Sequence, residues 1–275
     1  MASAGSDVDL PELLRTALVS GDDGPLRAAL TDRSRLPGAR MDLRLVAAFA
    51  DVVGQLVGRP GDTVPEIDRL AALLDGWAAL TPDEAPGDQP AVVLPAAAVA
   101  SYGRVGAARP DWWDDEIAKL RRAAADDRWR VREVVAQALQ TLLAADWDRT
   151  VAELRTWAGD DDPLVVRAAA AGVAEPPLLR SGPADRATDA AEVQRRAVES
   201  LQRIPAAERR TESVRVLRTA LGFTVSVVAA ATGDLGLHDE MAASDDADLR
   251  WAAAQNAKKA RLRSLLDARD RAGKG

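Results

Sequence analysis

Six cations, Lys119, Arg121, Arg122, Arg128, Arg130 and Arg132, crowd into the stretch from Lys119 to Arg132 around two acids, with Trp112, Trp113 and Trp129 beside them. Guanidinium and ammonium groups next to indole rings suit phosphate contact combined with base stacking. The same residues admit a structural reading, with Trp113 and Trp129 in a core, Arg132 in a repeated turn and the other arginines on a solvated face. A second run, Arg250, Trp251, Lys258, Lys259 and Arg261, continued by Arg263, offers the same chemistry near the carboxy terminus, or else cations that complement a helix dipole. Arg128, Trp129, Arg130, Arg250, Trp251, Lys258, Lys259 and Arg261 are therefore the candidate binding residues.

Other chemistries find little to work with. The chain has no cysteine, which removes disulfides, thiolate metal sites and cysteine nucleophiles. Its single histidine, His238, precedes Asp239 and Glu240 and reads as a surface residue, with no second histidine to complete a zinc site. There is no Gly-x-Ser-x-Gly element, no Gly-x-Gly-x-x-Gly and no phosphate-binding loop ending in Gly-Lys-Ser/Thr. No catalytic residue, metal or cofactor is expected. The formal net charge of -7 repels phosphate backbones on average, but it is unevenly spread. Residues 61–90 carry seven acids and one arginine, whereas residues 257–275 carry seven cations and two acids.

The elements that must hold these side chains are helices. Ala, Leu and Val dominate the apolar residues while Phe and Tyr are nearly absent, a mixture that favours packed helices over sheets. Apolar stripes at helical spacing recur, most clearly Val131, Val134, Val135, Ala138, Leu139, Leu142 and Leu143. Others are Val46, Phe49, Val53, Leu56; Ile67, Leu70, Leu74, Trp77; and Trp147, Val151, Leu154, Trp157, which places Trp77, Trp147 and Trp157 in the core. Acid clusters in the breaks read as helix caps. Short links make neighbours antiparallel. Two longer connections, Thr81 to Pro90 and Glu175 to Arg186, are expected to be the most mobile. The amino terminus is polar, and no run of about 18 uninterrupted apolar residues occurs. An intracellular, cytoplasmic protein without a membrane partner is expected.

One device repeats. An acidic turn leads into a helix that begins with an apolar residue and arginine: Asp126 to Arg132, Asp161 to Arg167, and Ser244-Asp245-Asp246 to Arg250. Between the last two lies room for a degenerate pair of helices, Val214 to Leu221 and Phe223 to Ala231. The pattern resembles the HEAT-repeat family, in which an Asp in the turn and an Arg six residues later form a ladder between stacked repeats. The resemblance implies an all-α fold of antiparallel helix pairs stacked as a HEAT-like α-solenoid, with Asp126, Arg132, Asp161, Arg167 and Arg250 as ladder residues. In the third copy Ser244 replaces the Asp, so the ladder there is expected to be broken or shifted. The array is strongest over 110–264, with 1–109 an amino-terminal helical region of degenerate repeats and 265–275 a basic tail, all in one continuous array.

A stacked array buries a core that one helix pair cannot, and leaves a curved surface whose ordinary use is binding. The expected function is a non-enzymatic scaffold for a protein partner. The segment from Lys119 to Arg132, followed by Trp147, Trp157 and Arg167, also resembles the DNA-alkylation-repair branch of HEAT-like proteins. That resemblance implies a DNA glycosylase-like protein holding duplex DNA on a basic concave surface. Asp114 and Asp115, next to Trp112 and Trp113, are the carboxylates it points to, with neither assigned a catalytic role.

Overall fold

The computed structural model describes residues 9–58 and 64–272. Among these, fifteen α-helices and two single-turn 3-10 helices supply all the regular structure, and no strand occurs. The chain forms two compact units, 1–138 and 139–275. The first holds α1 (Leu10–Ser20), α2 (Gly24–Arg33), α3 (Leu43–Val57), α4 (Val64–Ala78), α5 (Val93–Ala108) and α6 (Trp113–Ala124). Helix α7 (Trp129–Ala145) contains the border. The second unit continues with α8 (Trp147–Trp157), α9 (Pro163–Val173), α10 (Pro176–Ser181), α11 (Asp185–Arg203) and α12 (Glu212–Thr232). It ends with α13 (Gly236–Ala243), α14 (Ala247–Ala257) and α15 (Ala260–Ala272). Helix α6 packs on α5, within the first unit. Residues 265–272 belong to α15, whose Arg269 pairs with Asp239 at 2.5 Å.

Acids in the turns start the helices. Asp9, Asp42, Asp146, Asp162 and Asp246 each accept a hydrogen bond from a backbone N–H of the first turn they precede, which satisfies donors that have no partner within the helix. Helix α12 stops at Gly233, whose left-handed φ of 73° is open to glycine without a side-chain clash.

Each unit is built around one enveloped helix. In the first, α5 packs against α3, α4 and α6 and is buried on all sides, its alanines and glycines letting neighbours come close. At Gly103 an added Cβ would lie 2.7 Å from the carbonyl oxygen of Ala138, so the α5–α7 approach depends on glycine there. In the second unit α12 packs against α9, α11 and α14. The segments Pro90–Ala108 and Glu212–Thr232 are long and apolar enough to cross a membrane by length and composition, with 72% and 56% of the apolar window buried inside the protein.

The stripe from Val131 to Leu143 is buried throughout, as are Trp77, Trp147 and Trp157. Two expectations change. The segment read as two helices, Val214 to Leu221 and Phe223 to Ala231, is the single helix α12, because Gly222 marks a close approach by Trp251 and Gln255 and not a break. The connection Glu175 to Arg186 contains α10 and the start of α11.

Candidate functional site

Arg128 and Arg130 do not form the cationic surface that their spacing suggested. Each is only 6% exposed. The Arg128 guanidinium donates to both carboxylate oxygens of Asp126, at 2.9 and 2.7 Å, and to the carbonyls of Leu80 and Ala85 at 2.8 and 3.3 Å. Arg130 donates to the carbonyl of Gly87 at 2.5 Å and stacks on Trp129 at 4.4 Å, while reaching the carbonyls of Gly38 and Ala39. These two arginines clasp the connection 81–89, supplying donors to the carbonyls of Ala85 and Gly87 beside the turn bonds that the segment makes within itself. A phosphate contact needs an exposed cation, and these are withdrawn. Trp129 remains 49% exposed.

The repeated turn is real, and its chemistry is carried by backbone. Arg132 donates to the carbonyls of Asp126 and Asp127 at 2.6 and 2.9 Å, and Arg250 donates to the carbonyl of Ser244 at 2.7 Å. Since the acceptor is a main-chain oxygen of the same turn, Ser244 serves as well as Asp126 for this bond. In both copies the turn residue also accepts from the backbone two positions on, Asp126 from Arg128 and Ser244 from Asp246. The copy out of register is the second. Arg132 and Arg250 stand four residues after the position that precedes their helix (128 and 246), whereas Arg167 stands five after Asp162. Asp160, and not Asp161, accepts from the backbone of Asp162.

The carboxy-terminal candidates do reach the surface and come together in the second unit. Trp251 on α14 is 36% exposed, and its ring meets α12 at Gly222, next to Phe223, which is 42% exposed. The Arg218 guanidinium lies 4.6 Å from the Trp251 ring, and Arg261 and Lys259 lie 5.0 and 5.6 Å from Phe223. Arg250 and Lys258 are exposed on the same helix and its end. The nearby carboxylates are already engaged, Asp248 by Arg218 at 2.7 Å and Asp246 by Arg209. Burial opposes ionisation of Asp246, but the bond from Arg209 holds it below the ordinary carboxylate range. Phe223 and Arg218 escaped the sequence reading because they belong to another helix, read as two.

A second polar constellation also went unread, in the first unit. Lys119 on α6 donates to Glu116 and to Asp75 of α4, each at 3.0 Å, and sits 4.9 Å from the ring of Tyr102 on α5. The Tyr102 hydroxyl donates to Asp75 at 2.9 Å. Asp114 and Asp115, the carboxylates the repair-like resemblance pointed to, are exposed; the buried carboxylate of α6 is Glu116. His238, too, is buried and not on the surface, with Nδ1 3.4 Å from Asp239 and Nε2 without a hydrogen-bond partner among the described residues. Among the described residues no cluster of three or more His, Asp or Glu is placed to hold a metal.

Burial raises the pKa of Glu116 despite Lys119 beside it, and its Oε2 has no partner among the described residues. A raised folded-state pKa means that the folded protein binds the proton more tightly than the unfolded chain. Stability is therefore lost as pH rises through the Glu116 titration. The neutral isostere Glu116→Gln removes that loss. The melting temperature of Glu116→Gln relative to wild type should rise by a few degrees between pH 4.5 and pH 7.5; a difference that stays constant with pH refutes this account.

No protein-family model matches the chain, and no curated protein matches it in sequence. Solved structures do resemble it. An engineered protein from a structural-genomics consortium is 15% identical, covering 94% of this chain and 98% of its own, with a TM-score of 0.40. A designed armadillo repeat protein is 15% identical over 90% and 98% of the two chains, with a TM-score of 0.39. Computationally designed armadillo repeat proteins for modular peptide recognition are 16% identical over the same shares, at 0.40. Likeness at this level adds nothing to what the packing shows. The helices define an all-α protein in which an arginine-anchored turn recurs.

Proposed function

We propose that this chain is a HEAT-like, non-enzymatic scaffold that binds a protein partner over the α12, α14 and α15 surface of its second unit. The observation that supports this most is the pairing of two exposed aromatic rings, Phe223 and Trp251, with Arg218, Lys259 and Arg261 around them. Aromatic rings flanked by arginine are enriched in the cores of protein interfaces, and here two such rings lie side by side. The cations around the rings select a partner segment that carries Asp or Glu beside Leu or an aromatic residue. Duplex DNA is the lesser reading, because Arg128 and Arg130 are buried and the net charge is -7.

Selection of a random dodecapeptide library on the wild-type protein, with counter-selection on the quadruple variant Phe223→Ala, Trp251→Ala, Lys259→Glu, Arg261→Glu, tests the proposal. Acidic and apolar peptides should be enriched, and their affinity should fall at least roughly tenfold in the variant at unchanged far-ultraviolet circular dichroism. Enrichment independent of the variant overturns it. So does binding of a DNA duplex that is tighter than any peptide and weakens steeply with salt.

A further inference from the structure

The Lys119 constellation borders a cavity of about 410 Å³ in the first unit. Its wall is apolar and made of small side chains, Ala78 and Ala79 from α4 and its end, Val99 from α5 and Ala123 from α6. Together with Val131 of α7, these small residues leave a recess several times the volume of one leucine side chain, open to solvent at the exposed Ala79 and Arg122. The polar edge of the cavity is formed by Asp75, Tyr102, Lys119, Arg122 and Asp126.

These polar groups differ in what they have left to give. Asp126 is occupied by Arg128 through both oxygens. The Oδ1 atom of Asp75 accepts from both Tyr102 and Lys119. Lys119 is held between Asp75 and Glu116, so its position is fixed and its charge is largely balanced. Arg122 is exposed on α6 and has no ion-pair partner among the described residues. The edge therefore presents one guanidinium without a counter-ion, next to an anchored ammonium and a phenol, over an apolar wall. Pockets of this size that combine an apolar lining with a few convergent polar groups are ligand sites, and titratable groups displaced by burial gather in them. Burial works against the charge of Lys119, but the two carboxylates hold its pKa above the ordinary lysine value, so it stays cationic.

We propose that this cavity binds a compact organic carboxylate, its anionic group on Arg122 beside the Lys119 ammonium, and its apolar body against Ala78, Ala79, Val99, Ala123 and Val131. The site is independent of the aromatic surface of the second unit, and its failure would leave the scaffold reading untouched.

Tyr102 is the only tyrosine of the chain, so ¹³C-tyrosine labelling gives a single reporter inside the cavity. The full-length protein is titrated with phenylacetate, hexanoate, inorganic phosphate and, as the uncharged control, hexanamide. Phenylacetate or hexanoate should shift the Tyr102 resonances saturably at millimolar concentration or below, with hexanamide inactive, and Arg122→Gln should weaken binding at least roughly tenfold. Because Arg122 is exposed, that variant is expected to fold. Ala79→Leu, which narrows the mouth of the cavity, should weaken binding of phenylacetate and hexanoate at least roughly threefold, and retained helical circular dichroism separates this from unfolding. No saturable shift with either carboxylate up to about 10 mM overturns the proposal. So does undiminished binding in Arg122→Gln, or phosphate binding as tightly as the organic anions, which would leave the apolar wall without a role.

Discussion

Replacing Arg128 with alanine should destabilise the protein by about 3–5 kcal/mol, the loss expected when one partner of a buried ion pair is removed. Its guanidinium is the counter-charge of Asp126, whose carboxylate is 16% exposed, and the donor for the carbonyls of Leu80 and Ala85. In Arg128→Ala the carboxylate and the carbonyls lose that partner together, and the connection 81–89 loses its anchor. Arg128→Lys keeps the charge but not the planar fork, so it can serve Asp126 or the carbonyls and not both; it should recover less than half of the loss. Urea denaturation followed by circular dichroism measures each value. If Arg128 were a solvated residue of a nucleic-acid surface, its removal would change stability by no more than about 0.5 kcal/mol, and that result would return it to the surface.

The same residue shows where sequence reading stops. Helix periodicity and acid caps depend on neighbours within a few positions, so the buried stripe of α7 and the cap at Asp246 were legible from residue types alone. The destination of Arg128 was not, because its carbonyl acceptors are 43 to 48 residues away and any residue type supplies a carbonyl. Ser244 makes the same point in reverse. Its departure from Asp looked like a broken copy, but Arg250 is bound to the main chain, on which the substitution has no effect. The half of the candidate site that reached the surface, Trp251 with Lys259 and Arg261, was visible as composition. Its partners Phe223 and Arg218 were hidden because Gly222 read as a helix end. Asp75, Tyr102 and Lys119 come from three helices and share no local spacing; only the uniqueness of the tyrosine marked the place.

Asn256 should prove nearly as costly to remove. It is fully buried on α14, and its three hydrogen bonds all go to backbone. Its Nδ2 donates to the carbonyls of Leu221 and Ala252 at 2.7 and 2.8 Å, and its Oδ1 accepts from the N–H of Ser226 at 2.8 Å. One side chain thus bonds two points of α12 and ties that helix to α14, beneath the surface where Trp251 meets Gly222. Asn256→Ala leaves a buried donor and acceptor of α12 without this partner, at about 1–3 kcal/mol each, and a total loss of about 2–4 kcal/mol is expected. Asn256→Asp separates the two halves of the bond by pH. The introduced carboxylate still accepts from Ser226 but cannot donate to Leu221, and as a charge in a fully buried site it will have a raised pKa. The folded state of this variant therefore gains relative to its unfolded chain as pH falls, when the protonated carboxyl can donate again. The deficit of Asn256→Asp should be larger than that of Asn256→Ala at neutral pH and shrink towards pH 4, whereas that of Asn256→Ala, referred to wild type at each pH, should not move. Equal deficits for the two variants at all pH values would mean that packing volume, and not the donor to Leu221, is what Asn256 supplies.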